Sequence, residues 1–473
     1  MSGINPPSIK NIEEGHRQAL LRVCNLITQA GGRAWLVGGT VRDGVLGLEQ
    51  RDLDLEAFGL PADKLREALE QEFQLDLVGQ SFGILKLRGA PIDVGLPRRE
   101  SKAGLGHKEF DIVSDPYLPL PEAAARRDFT INAIYLDPLT AEVADPFSGL
   151  QDIERRLLRH TSPAFREDPL RVLRGMQLAA RFELHTVPET IAECRTIGME
   201  GLATERVFDE WQKLLVRGVK PSIGLQFLRD THWLSYYPEL EALIGCVQDP
   251  VYHPEGDVWI HTLACLDVFA DERWGDPWED LVVGLAVLCH DLGKPLTTTM
   301  DSGGRVRAIE HEKVGVEVTE EFLARITHQR KLAREVLPLV AEHMQPAMLE
   351  RADASDAAVR RLSKRVGRID RLLRVARADA LGRPPLKSNP FPAGPWLAEK
   401  AERLKVMSSA PAPLVQGRDL MDMGWKPGPH FQGILERVYR AQLEGKFSTN
   451  ESGREYTLKV FGNPEGDGHP GGG

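Results

Sequence analysis

The stretch WLVGGTVRDGVLGLEQRDLDLEAF, residues 35–58 of a 473-residue chain, decides the fold. Trp35 to Val37 read as a short apolar strand that turns on Gly38 and Gly39, two residues that let backbone approach a ligand closely. Arg42 follows in what reads as the first turn of a helix, where free backbone N–H groups and a guanidinium together form an anion site. The next run, RDLDLEAFGL (51–60), reads as a buried strand apart from Asp52 and Asp54. On a strand, residues i and i+2 share a face, so the two carboxylates project together, about 7 Å apart along the backbone. Such a pair repels unless the strand end is solvated or a cation sits between the acids. A phosphate cradle placed shortly before the acid pair implies a nucleoside triphosphate held against two Mg²⁺ ions on Asp52 and Asp54.

With 42% hydrophobic and 27% charged residues the chain has the composition of an ordinary soluble protein, long enough for three or four domains. No apolar core of signal-peptide type opens it, and the longest uncharged apolar run, LVVGLAVLC (281–289), is too short to span a membrane. A cytoplasmic location without membrane contact is expected. Cys24, Cys194, Cys246, Cys265 and Cys289 form no C-x-x-C pair, so neither a disulfide framework nor a cysteine zinc site is indicated. The net charge of -10 argues against indiscriminate nucleic-acid binding. No DNA partner is expected, and any RNA contact must be local.

Five regions follow from the patterning. Residues 1–30 form an N-terminal helical segment, and 31–155 mix strands and turns around the phosphate and acid motifs. Residues 156–250 turn helical, with amphipathic segments such as PLRVLRGMQLAARFEL. Residues 251–385 are helical and rich in histidine. Residues 386–473 hold the end of a proline-containing linker, GRPPLKSNPFPAGPW (382–396), then a short helical unit and a glycine-rich end, GNPEGDGHPGGG, expected to be unstructured.

Other segments add to the first site. GILKLRGAPIDVGLPRRE (83–100) reads as two strands around a tight turn, with Asp93 on the second, either a third carboxylate beside Asp52 and Asp54 or an edge-strand acid. RRDFTINAIYLDP puts Arg126 and Arg127 where they suit the β- and γ-phosphates or an RNA phosphate. In REDPLRVLR, Asp168, Arg171 and Arg174 are spaced by three, along one side of a helix. Asp168 ahead of Pro169 is a favoured helix cap. It also has a chemical alternative. Cytosine and adenine both present an amino donor beside a ring-nitrogen acceptor, which a carboxylate and a guanidinium match, whereas uracil and guanine would leave polar groups unpaired.

Taken together, LVGGTVRD, DLDLEAF, RRDFTINA, DPFSG, EDPLRVLR and ERVFDEW occur in the order and spacing of bacterial-type (class II) CCA-adding tRNA nucleotidyltransferases of the polymerase β superfamily, which the chain resembles from about residue 33 to 215. The resemblance implies a head holding Mg²⁺ on Asp52 and Asp54, triphosphate contacts from the Gly38–Gly39 turn, Arg42 and Arg127, and a neck whose Glu167, Asp168 and Arg171 choose CTP or ATP. Arg174 would support the nucleotide. RRESKAGLGHKEFDIVSDPYLPLPEAAA (98–125) stands where the family carries the flexible loop needed to switch from C to A addition.

The histidine-rich region supplies His253, His261, His290, Asp291, His311, His343 and Asp379. The adjacent His290–Asp291 with histidines on either side suits one or two octahedral cations better than packing. This pattern resembles the HD phosphohydrolase superfamily over roughly 251 to 385. It implies a second metal site on His261, His290, Asp291, His311, His343 and Asp379 with phosphatase and 2′,3′-cyclic phosphodiesterase activity, or else a catalytically silent, tRNA-binding descendant; nitrogen ligands there favour Ni, Co or Mn over Mg²⁺. RRLSKRVGRIDRLLRVAR (360–377) reads as one basic helix stripe suited to an RNA backbone. QGRDLMDMGWKPGPHFQGIL (416–435) resembles the family's tail, which would hold the tRNA elbow.

The expectation is thus an α+β protein with a polymerase β-like nucleotidyltransferase head followed by mostly helical neck, HD-type and tail regions. It would build or repair the 3′ CCA end of tRNA from CTP and ATP. An A-adding enzyme or poly(A) polymerase is the enzymatic rival, and a non-catalytic tRNA-binding protein the rival of another class.

Overall fold

The computed structural model describes residues 4–76, 84–102, 110–384 and 391–463. Parts of three expected features, the centre of the 98–125 segment, the middle of the linker and the glycine-rich end from 464, lie outside the described residues. The chain divides into two compact units, residues 1–236 and 237–473.

The first unit opens with α1 (Glu14–Gln29), β1 (Arg33–Val37), α2 (Gly39–Val45), β2 (Leu53–Phe58) and α3 (Ala62–Glu70). Then come β3 (Leu75–Asp76), β4 (Ile84–Leu87), β5 (Ile92–Gly95), β6 (Arg98–Lys102), β7 (Phe110–Ser114) and α4 (Leu120–Ala125). After β8 (Tyr135–Leu136), β9 (Val143–Ala144), α5 (Gly149–Glu154) and β10 (Leu157–Leu158), the chain turns helical: α6 (Leu170–Phe182), a short β11 (His185–Thr186), α7 (Pro188–Cys194), α8 (Thr204–Arg217) and α9 (Pro221–Asp230). Seven strands form one sheet in the order β3-β4-β5-β2-β1-β8-β9. Its centre is antiparallel β1–β2 beside a parallel β2–β5 pair. Period-two alternation buries Leu53, Leu55 and Ala57 of β2 and turns Asp54 and Glu56 to the other face. The 98–125 segment supplies the β6–β7 hairpin and α4.

The second unit comprises α10 (Pro238–Glu241), α11 (Val258–Asp271), α12 (Pro277–Cys289), α13 (Lys294–Thr297), the β12 (Thr298–Met300) and β13 (Val306–Ala308) hairpin, α14 (His311–Ile326) and α15 (Arg330–Glu342). It continues with α16 (Gln345–Arg351), α17 (Asp356–Val366), α18 (Ile369–Leu381), α19 (Ala393–Arg403), α20 (Gly417–Asp422), α21 (His430–Leu443) and α22 (Asn450–Phe461). The apolar run LVVGLAVLC is the central core helix α12, buried from Asp280 to Cys289. Among the described residues no helix is long and apolar enough to cross a membrane.

Two expectations change here. The basic stripe is two helices, α17 and α18, because Gly367 turns the chain at φ +71°. Its α18 half is an internal seam rather than an RNA-facing surface. Arg371 lies between Glu279 and Glu335, all three bonds at 2.7 Å, and Arg374 donates to the buried Asp280 at 2.6 Å. An acidic N-terminal turn on α12 is the reason: cations repeating every three residues on α18 meet it along one face. The linker also ends earlier than its prolines suggest, since α19 starts at Ala393 with Pro392 as its N-cap. Proline is tolerated at a helix start, where its missing N–H is not needed. Beyond it, Val415, Leu420, Ile434, Val438, Ala441 and Phe447 form a small separate core.

Candidate active sites

The β1–α2 turn, Asp52, Asp54 and one side of α6 and α8 line one cavity of about 890 Å³ in the first unit. Gly38 adopts φ +74°, and an added Cβ would lie 3.1 Å from Arg127 Nη1 and 3.8 Å from Asp54 Oδ2. The missing side chain is what lets a backbone turn, a guanidinium and a carboxylate converge. An added Cβ at Gly39 would likewise sit 3.2 Å from Arg42 Nη2. Arg42 is buried, donating through Nη1 to Asn132 Oδ1 at 2.6 Å and through Nε and Nη2 to Asp43 Oδ1 at 2.9 and 2.7 Å. Arg127 Nη2 donates to Glu56 Oε1 at 2.6 Å, and Tyr135 donates its hydroxyl to the other oxygen of that carboxylate at 3.0 Å. Glu56 and Tyr135 were missed by the sequence reading. The i+2 spacing from Asp54 was the available signal for Glu56.

Asp52 stands one residue ahead of β2, not within a strand carrying both acids. Its carbonyl accepts the Thr40 hydroxyl, which ties the residue to α2. Both carboxylates are nonetheless exposed to the same cavity. Asp93 lies opposite Asp54 in the parallel β2–β5 register. It takes Lys86 Nζ at 2.6 Å and opens on a smaller recess of about 260 Å³, shared with Asp54, Glu56 and Arg127. Although the rim of Asp54 is open to solvent, crowding around it raises its carboxyl above the usual range. Arg127 pulls it back, and Asp93 and Asp52 add like charge. Three carboxylates with only oxygen donors fit a hard octahedral cation such as Mg²⁺. The cavity balances them with ten arginine and lysine side chains against six carboxylates, in a chain of net charge -10. The local excess of positive charge suits a polyanion.

The neck side of the cavity departs from the expected spacing. Helix α6 begins at Leu170 with Pro169 as N-cap, so Asp168 precedes the helix and does not share a face with Arg171 and Arg174. Asp168 Oδ1 accepts the Leu170 N–H at 3.0 Å, and Oδ2 accepts from Arg206 Nη2 of α8 at 2.8 Å. A capping bond is present, and the second oxygen is left for a guanidinium. Arg171 reaches backbone instead, donating to the Ala164 and Arg126 carbonyls at 2.8 and 2.6 Å. Arg174 Nε donates to Asp128 Oδ2 at 2.7 Å. Burial alone would raise the Asp128 carboxyl, but Arg174, Asn132 and the Phe129 N–H hold it down at about 2. Glu167 pairs with Arg126. Asp168, Arg171, Arg174 and Arg206 all line the cavity, whereas Glu167 stands behind it. Arg206 lies inside the motif ERVFDEW, yet nothing in its spacing signalled a partner 38 residues back.

In the second unit the histidine cluster is built from helix ends. His290 and His343 are the C-caps of α12 and α15, and His311 opens α14. The last carbonyls of a helix lack intrahelical partners, and these rings use them: Nδ1 of His290 bonds the Val287 carbonyl at 2.7 Å and that of His343 the Val340 carbonyl at 2.8 Å. His311 Nδ1 bonds the Ala308 carbonyl, at the end of β13, at 2.8 Å. In the tautomer with Nδ1 donating, each Nε2 can offer a lone pair to a cation, the arrangement that orients metal-binding imidazoles. His311 Nε2 stands 3.3 Å from Asp291 Oδ1 and 3.3 Å from His343 Nε2. His290 Nε2 is 3.2 Å from Asp291 Oδ2, and His261 Nε2 is 3.2 Å from Asp379 Oδ1. Gly293 lets the chain pack closely against the first turns of α14, since an added Cβ would strike the His311 carbonyl at 2.1 Å.

All six expected ligands are thus together, and the buried His290 Nε2 has no hydrogen-bond partner among the described residues. That orphaned nitrogen and a mixed imidazole–carboxylate donor set fit a transition metal. Burial first, and then His290, push the His343 imidazolium down to about 4, so the ring is neutral at pH 7. Burial would raise Asp291, yet His290 and Lys294 hold it well below the usual carboxylate range. Lys294 Nζ lies 2.7 Å from Asp291 Oδ2, and Arg383 Nη2 lies 2.6 Å from Asp379 Oδ1. Both were missed, as was Glu255, whose Oε1 lies 2.9 Å from His253 Nδ1 and 2.8 Å from His261 Nδ1. His253, Asp291, Lys294, His311, His343 and Asp379 open on a cavity of about 670 Å³.

Residues 34–159 match the model of the Poly A polymerase head domain, and residues 258–383 that of the HD domain. The Multifunctional CCA protein of Stenotrophomonas maltophilia (strain R551-3) is 37% identical over 430 residues, covering 87% of this chain and 98% of that one. Its namesake in Acinetobacter baumannii (strain SDF) is 32% identical over 404 residues, with 83% and 94% covered. Among solved structures, the Bacillus stearothermophilus CCA-adding enzyme in complex with CTP aligns with a TM-score of 0.65 at 21% identity, over 95% of this chain and 98% of that one. The Thermotoga maritima CCA-adding enzyme complexed with tRNA gives 0.57 at 17%, over 96% and 97%. At such identities the structural likeness speaks for the fold.

Proposed function

The chain belongs to the family of the multifunctional CCA proteins, and from that premise we propose that it builds and repairs the 3′ CCA end of tRNA from CTP and ATP, without a nucleic-acid template. The observation that carries this reading is the cationic 890 Å³ cavity, in which an oxygen-donor acid pair faces a carboxylate and guanidiniums able to read a base. Asp52 and Asp54 would hold Mg²⁺, with Asp93 beside them as a third acid. Bound there, Mg²⁺ supplies the positive charge that favours ionisation of the attacking 3′-hydroxyl and offsets charge on the leaving pyrophosphate. Gly38 and Gly39 keep the turn open for the triphosphate, while Arg42 and Arg127, fixed by Asp43, Asn132 and Glu56, face it with little reorganisation. Asp168 would accept the amino group of cytosine or adenine in place of Arg206, and Arg171 would donate to the ring nitrogen. Arg174, held by Asp128, supports the nucleotide, and Glu167 fixes Arg126 behind the site.

The reading assigns residues 31–155 as head, 156–250 as neck, 251–385 as the HD-type domain and 386–473 as linker and tRNA-binding tail, in a cytoplasmic enzyme. The deciding experiment sequences tRNA 3′ ends after incubation of CCA-less tRNA with CTP, ATP or both. Ordered C, C, A products support it. Addition of A alone would point to an A-adding enzyme, and no addition to a non-catalytic binder.

The histidine cluster carries a second assignment, supported by the lone pairs its rings can offer and the orphaned His290 Nε2. We propose a phosphohydrolase acting on 2′,3′-cyclic or terminal phosphates of damaged RNA ends. A nickel, cobalt or manganese ion held there supplies Lewis acidity to the phosphoester. Removing a blocking phosphate restores the 3′-hydroxyl that the first site needs.

A further inference from the structure

Cys265 follows His261 by one turn of α11, so the two side chains leave the same face of the helix. Its buried sulphur lies 3.4 Å from His261 Nε2. The same nitrogen is 3.2 Å from Asp379 Oδ1 and 3.7 Å from Asp291 Oδ2. Donor atoms of His261, Cys265 and His290 all lie within 4.8 Å of one another, and His290 Nε2, 3.2 Å from Asp291 Oδ2, makes no hydrogen bond among the described residues. Nitrogen and sulphur ligands of one cation, at about 2.1 and about 2.3 Å from it, stand roughly 3.1 to 3.6 Å apart for ligand angles between 90° and tetrahedral. The 3.4 Å separation falls inside that window. Gly382 leaves the thiol its place, since an added Cβ there would lie 2.4 Å from the sulphur.

We propose that Cys265 is a metal ligand, forming with His261 and His290 a second cation position beside that of Asp291, His311 and His343. The proposal rests on the reading of the histidine cluster as a metal centre. Charge makes a thiolate useful here: Asp291 is ion-paired to Lys294 and Asp379 to Arg383, so the carboxylates alone contribute little net negative charge to a dication. On binding, the thiol releases its proton to solvent and a sulphur lone pair makes the bond to the cation, with no change of oxidation state. A sulphur donor selects cobalt, nickel or zinc over magnesium and manganese.

The test is to titrate the metal-free full-length chain with Co²⁺ and record thiolate-to-cobalt charge-transfer absorption in the near ultraviolet. The wild type should show the band. Cys265→Ser should lose it while still binding cobalt, and Cys289→Ser, a buried thiol at the end of α12, should keep it. Circular dichroism checks that each variant is folded. If Cys265→Ser does not fold, X-ray absorption of the zinc-loaded wild type decides, with a sulphur at about 2.3 Å expected. Cobalt bound to the cluster without the band, a band that survives in Cys265→Ser, or a zinc shell without sulphur overturns the proposal. Absence of any cobalt binding that His290→Ala removes would overturn the metal reading of the cluster itself.

Discussion

The two sites solve opposite problems. In the first unit the acids are exposed at the head of a strand in a wide cavity, and most of the surrounding cations are held by carboxylates: Arg127 by Glu56, Arg206 by Asp168, Arg174 by Asp128. In the second unit the ligands are almost fully buried, and the rings of His290, His311 and His343 are clamped by a carbonyl three residues back. On the proposed reading the open site trades partners: a nucleotide would displace Arg206 from Asp168, and neither side chain, 52% and 33% exposed, would be left as a buried charge. The closed site cannot trade, because removing a donor there leaves an unpaired buried charge. A site that must accept two nucleotides and a growing RNA end needs the first kind of construction. The metal cage proposed for the histidines would need the second.

The largest effect should come from the acid pair. Asp52→Asn or Asp54→Asn removes several kcal/mol of transition-state stabilisation, so CTP incorporation should fall by about a thousandfold or more. Affinity for tRNA and hydrolysis at the histidine cluster should be retained, as filter binding and a cyclic-phosphate assay would report. Near-normal turnover in either purified variant would break the metal assignment. Next comes the closed site. His290→Ala should abolish cobalt- or nickel-dependent hydrolysis of a 2′,3′-cyclic nucleotide and keep CTP incorporation within about twofold, the spread expected of independent sites. Loss of both activities in a folded variant would mean that the two sites are coupled.

How much of this was legible follows the same contrast. The β1–α2 turn, β2, β4 and β5 were readable because glycine pairs, period-two alternation and a tight turn are local signals, and the six histidine-cluster residues could be named because an adjacent His–Asp with flanking histidines resembles the HD superfamily. What sequence could not reveal was who holds the functional groups. Arg206 meets Asp168 across 38 residues and Arg371 meets Glu279 across 92, distances over which spacing carries no information. The same blindness turned an internal seam on α18 into an apparent RNA-facing stripe. Asp168 was misplaced by less, because a proline at a helix start leaves the boundary uncertain by a residue or two.

A middle-sized effect separates the two roles of Asp168. Asp168→Ala should raise misincorporation of UTP or GTP relative to CTP and ATP by about a hundredfold, since the variant no longer leaves a polar group unpaired against the wrong base. Loss of the Leu170 bond alone would cost about 1 kcal/mol of stability and leave selectivity intact. Competition assays with mixed nucleotides, beside thermal unfolding, tell these apart. Arg206→Ala sharpens the point. If the nucleotide displaces Arg206, its removal should lower the KM for CTP and ATP a few-fold and leave kcat nearly unchanged, because a competitor for Asp168 has gone.

The smallest effect on either chemistry is expected where the sequence promised an RNA contact. Arg371 is buried and spends Nε and both terminal amines on Glu279 and Glu335. Arg371→Gln should therefore leave Glu279 to its longer ion pair with Arg368 at 3.5 Å and Glu335 to that with Lys331 at 3.8 Å, and lower the thermal midpoint of the second unit by a few degrees. Its effect on tRNA affinity should stay within about twofold. The salt dependence is the sharper measure, because each phosphate contact adds about one to the slope of log affinity against log salt concentration. An unchanged slope in Arg371→Gln keeps the seam internal, as the structure has it. A slope lower by about one, in a variant that melts like the wild type, would return this stripe to the RNA and leave Glu279 and Glu335 as its incidental neighbours.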